Sequence, residues 1–255
     1  EFLMPVTIIY ALTIMDWRSI WIIISVAIIL FLPMVSYFLV KEVKLSSRED
    51  GNEVIKENIK QWKRSEVIKD YRFIIIALNM LAMPWIATGI FVYQSFILSA
   101  KNWGEYTIAQ SFMVYSIASV LTLFVAGYLI DKFTSRKLLI YMNIPFLISL
   151  LILIYFQSPV SSFFFLGLIG VSNGFANVLG SSTWAELYGV KFIGSIKALT
   201  TALMVFSTAF GTALFGLMID FDFSIEQISM ISGGYILISL ILLFLIKNKL
   251  NPTIL

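Results

Sequence analysis

Apolar runs of near-membrane length end at residues 15, 40, 99, 130, 156, 183, 219 and 246, with polar residues between them. Residues 2–15 read as the tail of one spanning helix. Asp16-Trp17-Arg18-Ser19 reads as a turn with an interfacial Trp, and 20–40 as the next span. Six more spans are predicted at 72–99, 106–130, 138–156, 160–183, 195–219 and 228–246. Twenty-odd apolar residues at 1.5 Å rise cross a bilayer core of roughly 30 Å. Pro84 and Pro145 fall inside two of these runs and predict kinks, because proline frees a backbone carbonyl that neighbouring groups must satisfy. Residues 41–70 form the one long polar stretch, with a candidate surface helix over 53–64 whose apolar contacts are Val54, Ile55, Ile59 and Trp62.

If every run crosses a bilayer, alternate connections share a side, and sixteen of the eighteen Lys and Arg residues fall on one side. Nine lie in the 41–72 connection, three are Lys132, Arg136 and Lys137, two are Lys191 and Lys197, and two are Lys247 and Lys249. The other side has Arg18 and Lys101 only. This asymmetry predicts a polytopic protein of the cell (plasma) membrane, with the basic connections, the central loop and the C-terminus in the cytoplasm. The 41–70 stretch then reads as a charged linker between two membrane bundles, with a regulatory or lipid-contacting role as the alternative.

Composition agrees: 59% of residues are hydrophobic, 13% are charged, and the mean hydropathy is +0.91. The net charge of +3 is spread over several connections, so no nucleic-acid partner is expected. There is no Cys and no His, which excludes disulfides, thiol chemistry, imidazole relays and the common zinc sites. No cofactor or metal site is read from the sequence, and no enzyme is expected, since no paired intramembrane carboxylates are present. Glu1 to Pro5 do not resemble a signal peptide. The chain is expected to start inside a hydrophobic run, with the N-terminal part of a larger protein upstream.

Small residues cluster on two helical faces, Gly167, Gly170 and Gly174 in one span and Ala209, Ala213 and Gly216 in the next, with Gly211 nearby. Such faces let helices approach closely. Static packing accounts for most such patterns, so the faces alone do not show transport.

The segment Gly127-Tyr128-Leu129-Ile130-Asp131-Lys132-Phe133-Thr134-Ser135-Arg136-Lys137 joins two spans on the basic side. It resembles the G-x-L-x-D-R-x-G-x-R-R loop of the major facilitator superfamily. Gly127, Leu129 and Asp131 match, Lys132 stands for the first Arg, and Arg136-Lys137 supply the basic pair. Thr134 replaces the second glycine, which implies a looser turn. From the residues alone, Gly127 permits close helix contact, and Asp131 is placed to pair with a local cation or to face a helix N-terminus. Trp184-Ala185-Glu186-Leu187-Tyr188-Gly189 followed by Gly194-Ser195-Ile196-Lys197 resembles the loop between the tenth and eleventh helices of bacterial members, including monocarboxylate-like transporters.

The resemblance covers the whole chain and implies an all-α polytopic membrane fold. Residues 1–40 would be the end of the N-terminal bundle (part of the fifth helix, then the sixth) and 41–71 a cytoplasmic interdomain loop. Residues 72–246 would be a C-terminal six-helix bundle with inverted 3+3 repeats, and 247–255 a cytoplasmic tail. It implies a secondary transporter, symporter or antiporter, that moves a small solute by rocker-switch alternating access and works as a monomer in the lipid bilayer. The solute would be a small organic anion such as a monocarboxylate, coupled to a proton or other ion. A transporter of neutral or drug-like solutes, a sensor or a scaffold on the same fold are the alternatives. The loop would latch the bundles through Gly127, Asp131, Lys132, Arg136 and Lys137. Glu186, at the end of its helix, reads as a structural or gate residue.

A solute path through apolar helices shows itself as polar groups near mid-span. The candidates are Asn79, Gln94, Gln110, Tyr115, Asn143, Asn173 and Asn177, with Trp85 and Tyr93 as aromatic walls. Asn173 and Asn177 are four apart and share a face. The family's cavity, lined by the first, second, fourth and fifth helices of the bundle, raises Gln94, Tyr115, Asn173 and Asn177 and lowers Asn143. For each of them taken singly, interhelical hydrogen bonding that holds the bundle together is the stronger reading. No Asp, Glu, Lys or Arg lies mid-span in the last six runs.

Overall fold

The computed structural model describes residues 4–42 and 60–253, which fall into two compact units. Helix is the regular structure throughout the described residues, and seven helical segments are long and apolar enough to cross a membrane.

The first unit, residues 4–42, has helix α1 (Met4–Leu12) and the long α2 (Trp17–Glu42) joined by a turn. Helix α2 starts at Trp17, inside the 16–19 stretch read as a turn, and Ser19 in its first turn donates its hydroxyl to Asp16 at 2.5 Å, holding that carboxyl below the usual carboxylate range. The spanning part of α2, Trp17–Val35, leaves Ile29, Leu30 and Phe31 exposed, so its surface is apolar nearly all round.

The second unit, residues 60–253, begins with a non-helical strap, 60–63, and a single turn α3 (Arg64–Val67). The part of the candidate 53–64 helix before residue 60 lies outside the described residues. Trp62, predicted as a surface-helix contact, instead stands edge-on to Tyr188 with ring centroids 5.5 Å apart. Main-chain bonds pin the strap: Lys60 N–H donates to the Thr253 carbonyl (2.8 Å) and Trp62 N–H to the Tyr188 carbonyl (3.0 Å). Lys191 N–H donates to the Gln61 side chain at 3.0 Å. Gly189 sits at φ +81°, a conformation that favours glycine, and the Gln61 side chain occupies the space where a Cβ would stand. Just after the strap, the Lys63 amide and the Lys60 ammonium hold the Glu66 carboxyl below its usual range.

The first long span is α4 (Tyr71–Ala82), a π-turn (Met83–Ala87) and α5 (Thr88–Val92). Asp70 caps it by accepting from Arg72 N–H at 3.0 Å. Pro84 lies inside the π-turn, where the missing N–H and the bulk of the ring widen the backbone. A break at Tyr93 leads to α6 (Gln94–Lys101). Next come α7 (Glu105–Phe133), α8 (Ser135–Met142) and α9 (Ile144–Tyr155), with α8 and α9 forming one span broken at Asn143, just before Pro145. The last three spans are α10 (Ser161–Tyr188), α11 (Ile193–Asp220) and α12 (Ile225–Ile246). Ser224 and Gln227 cap α12 reciprocally.

Two apolar clusters hold this unit. One, at the basic end, gathers Leu139, Trp184, Leu187, Tyr188 and Leu243; the other gathers Ile86, Phe146, Phe165, Phe215 and Ile228. Ion pairs close both ends. Arg72 Nη2 meets Asp70 Oδ2 at 2.8 Å, Tyr188 donates to the same carboxylate at 3.1 Å, and Arg72 Nη1 reaches the Asn251 carbonyl at 2.8 Å. At the far end the wholly buried Lys101 side chain meets Glu226 at 2.7 Å. The sequence reading treats Lys101 as a loop charge; here it ties α6 to α12.

Glycine contact joins the helices most closely. A Cβ on Gly170 would lie 2.4 Å from the Tyr115 carbonyl oxygen, and one on Gly174 2.6 Å from that of Ser119, so α10 rests on the α7 backbone. On α11 the close contact is Gly211, 2.1 Å from the Trp85 carbonyl by the same measure. Gly127, read as a close-contact glycine, has open space around its Cβ position. Gly170→Leu is therefore expected to destabilise the protein by about 3 kcal/mol or more through overpacking. Gly127→Ala is expected to be neutral or to stabilise by up to about 1 kcal/mol, since Gly weakens a helix interior. Thermal unfolding of the two variants in detergent checks both, and equal melting temperatures would contradict the packing assignment.

Candidate functional site

A cavity of about 250 Å³ opens among the first, second, fourth and fifth spans of the second unit. Met80, Met83, Pro84, Thr88 and Phe91 line it from the first span, and Tyr115 from α7. Asn173, Ala176, Asn177, Gly180 and Trp184 line it from α10, and Thr200, Leu203 and Met204 from α11. Asn173 is half-buried, while Asn177 and Met204 are exposed. No Asp, Glu, Lys or Arg lines the cavity.

The two asparagines are fixed by the protein. Asn173 Nδ2 donates to Ser119 Oγ at 3.0 Å, and Asn177 Nδ2 donates to the Asn173 main-chain carbonyl at 3.0 Å. No described residue donates to either side-chain carbonyl oxygen, so both present acceptors. Tyr115 stands edge-on to Phe91 with ring centroids 5.5 Å apart, forming an aromatic wall. The chemistry available is hydrogen bonding on an apolar, aromatic and thioether-rich surface.

The other six candidates, Trp85 and Tyr93 included, lie off the cavity lining. Asn79 is fully buried, donates to Ser239 Oγ at 3.3 Å and accepts on its main-chain carbonyl from Asn143 Nδ2 at 2.6 Å. Asn79 and Asn143 thus tie the first, third and sixth spans together. Trp85 is buried among Phe210, Phe215 and Tyr235 in edge-on contacts. Gln94 is exposed at the start of α6, and Gln110 is half-buried on α7; neither lines the cavity. Tyr93 lies off the lining too, with its hydroxyl against Gly216. The sequence reading missed Met80, Thr88, Trp184, Thr200 and Met204 as lining residues. Helical spacing held the signal: 80, 84 and 88 are four apart, and 173, 177, 180 and 184 follow one face.

The loop between α7 and α8 is built around Glu186, which comes from the last turns of α10. Ser135 donates to Glu186 Oε2 from its main-chain N–H (2.9 Å) and from its hydroxyl. Arg136 Nε meets Glu186 Oε1 at 3.0 Å, and its Nη1 donates to the Leu250 carbonyl and Asn251 Oδ1 at 3.1 and 2.9 Å. Asp131 is exposed, and no described residue pairs with its carboxylate; the loop cation expected to meet it is taken by Glu186. Lys132 Nζ lies 5.4 Å from the Phe133 ring centroid, and Lys137 is exposed.

Thr134, which stands at the second glycine of the loop pattern, has φ +73° and ψ 146°. The turn therefore keeps the glycine conformation with a β-branched residue in it, and Thr134 Oγ1 is buried without a partner. Such backbone conformations cost about 1–3 kcal/mol outside glycine. Thr134→Gly is expected to stabilise the protein by about 1 kcal/mol, read as a higher melting temperature in detergent. An unchanged or lower value would contradict the strained turn.

The family model of the Major Facilitator Superfamily matches residues 2–212 and, in a second and overlapping match, residues 74–254. No curated protein and no solved structure matches the chain. The two family matches together run through nearly the whole sequence, in agreement with its apolar spans. The chain belongs to the Major Facilitator Superfamily, and is a membrane transport protein and not an enzyme.

Proposed function

We propose that the protein is a secondary transporter that carries a small solute across the cell membrane by rocker-switch alternating access. Residues 1–40 act as the end of an N-terminal bundle, 41–71 as the interdomain loop and 247–255 as the tail, with the basic ends in the cytoplasm. The six spans over 72–246 form the C-terminal bundle, with inverted three-helix repeats as its organising symmetry. The observation that carries this reading is the cavity among four spans, with Tyr115, Asn173, Asn177, Thr88 and Thr200 on a largely apolar wall. Solute sites are largely apolar, with a few fixed polar groups that orient the ligand.

The lining favours a neutral, partly aromatic solute bearing a hydroxyl or N–H donor, because the asparagine carbonyls accept and no cation is present. A monocarboxylate needs a cation that these residues do not supply. The unpaired Asp131 acts as the latch, closing against a second bundle in one state of the cycle.

Saturable uptake of neutral aromatic solutes into proteoliposomes tests the transport reading. Asn173→Ala is expected to raise KM roughly tenfold, the size of one lost hydrogen bond, with insertion intact. Uptake of organic anions alone, or no saturable flux of any solute by the folded protein, would overturn it. Asp131→Asn is expected to slow turnover with little change in KM; unchanged kinetics would remove the latch role. Cysteines placed singly in 184–194 are expected to label only from the cytoplasmic face, and labelling from outside would reverse the orientation.

A further inference from the structure

We infer that a groove at the basic end, between α7, α8 and α12, binds one anionic phospholipid. The groove has a volume of about 620 Å³ and is separate from the solute cavity, with which it shares no lining residue. Its wall is apolar and exposed: Phe133, Tyr141 and Phe244 are 43%, 58% and 55% accessible. Its rim is cationic, formed by Lys137 and Lys247.

The charges at this end do not balance within the described residues. Glu186 is taken by Ser135 and Arg136, and Arg136 is further spent on Leu250 and Asn251. No carboxylate lines the groove, and neither Lys137 nor Lys247 has an ion-pair partner among the described residues. Lys247 Nζ is held 3.8 Å from the centroid of the Phe244 ring, which fixes the ammonium at the lip of the apolar wall.

Depth completes the case. Lys137 lies at the start of the Ser135–Tyr155 span and Lys247 near the end of the Ile225–Lys249 span. Tyr141 is four residues further along its helix than Lys137, about 6 Å deeper, and Phe244 about 4.5 Å deeper than Lys247. The groove thus offers two cations at headgroup level and an apolar channel directly beneath them. A phosphate joined to an acyl chain matches both halves. Free phosphate leaves the wall unused, and a zwitterionic lipid leaves the two lysines uncompensated. Basic pockets between spanning helices bind lipid headgroups for this reason, and each lysine near such a surface contributes about 1 kcal/mol.

Native mass spectrometry of the purified protein, titrated with phosphatidylglycerol or phosphatidylcholine of matched chains, tests the assignment. One phosphatidylglycerol is expected to be retained at least tenfold more strongly than phosphatidylcholine. Lys137→Gln with Lys247→Gln is expected to reduce that affinity roughly tenfold to thirtyfold. Lys191→Gln with Lys197→Gln removes the same charge from the same end outside the groove and is expected to change it less than twofold. All four lysines are exposed, and an unchanged melting temperature verifies folding. Equal retention of the two lipids by the unsubstituted protein would overturn the proposal. So would equal losses in the two double variants, or displacement of phosphatidylglycerol by millimolar inorganic phosphate.

Discussion

Inside a bilayer the lipid tails are as apolar as the helices, so burial from water does not hold one spanning helix against the next, and close van der Waals contact must. In the second unit that contact is made where Gly170 and Gly174 of α10 meet the main chain of α7 at Tyr115 and Ser119. The same approach brings Asn173 within hydrogen-bonding distance of Ser119 and sets it beside Tyr115 on the cavity wall. Gly211 repeats the device between α11 and the π-turn at Trp85. The cavity is the space left where these close contacts end.

Polar groups follow from the same constraint. Charges are confined to the ends of the spans, where Arg72, Asp70 and Tyr188 form one cluster, Glu186 and Arg136 a second, and Lys101 and Glu226 a third. Mid-span, neutral amides replace them: Asn79 and Asn143 join three helices, while Asn173 and Asn177 face the cavity. The half-buried pair of Arg136 with Glu186, shared with Ser135, Leu250 and Asn251, fastens the turn after α7 to α10 and to the segment after α12. The Glu186 contacts hold the loop while Asp131 stands exposed without a partner among the described residues.

Much of the fold is legible in the sequence because bilayer thickness and the cost of burying charge act on composition directly. The last six spans follow the apolar runs, and the two proline kinks fall where Pro84 widens the helix and Pro145 follows the break at Asn143. Long-range pairings are not legible. Arg72 meets Asn251 across most of the unit, and Lys101 meets Glu226, with nothing in the local pattern to announce either. Thr134 hides a glycine conformation, because a threonine signals the opposite preference. Trp62 reads as an amphipathic-helix residue yet docks on Tyr188, since main-chain bonds from the strap decide its position. At the cavity, the polar residues Tyr115, Asn173 and Asn177 stand out in an apolar chain, whereas Met80 and Met204 do not differ from core residues until the fold opens a space beside them.

Asn177 offers the most direct test of alternating access through this cavity, because it is exposed on the lining and the chain has no cysteine of its own. The measurement is the rate at which Asn177→Cys in proteoliposomes reacts with a membrane-impermeant thiol reagent applied to each face in turn. Alternating access predicts modification from both faces, slowed from each by a transported solute. Modification from one face only, at a rate no solute changes, would contradict it.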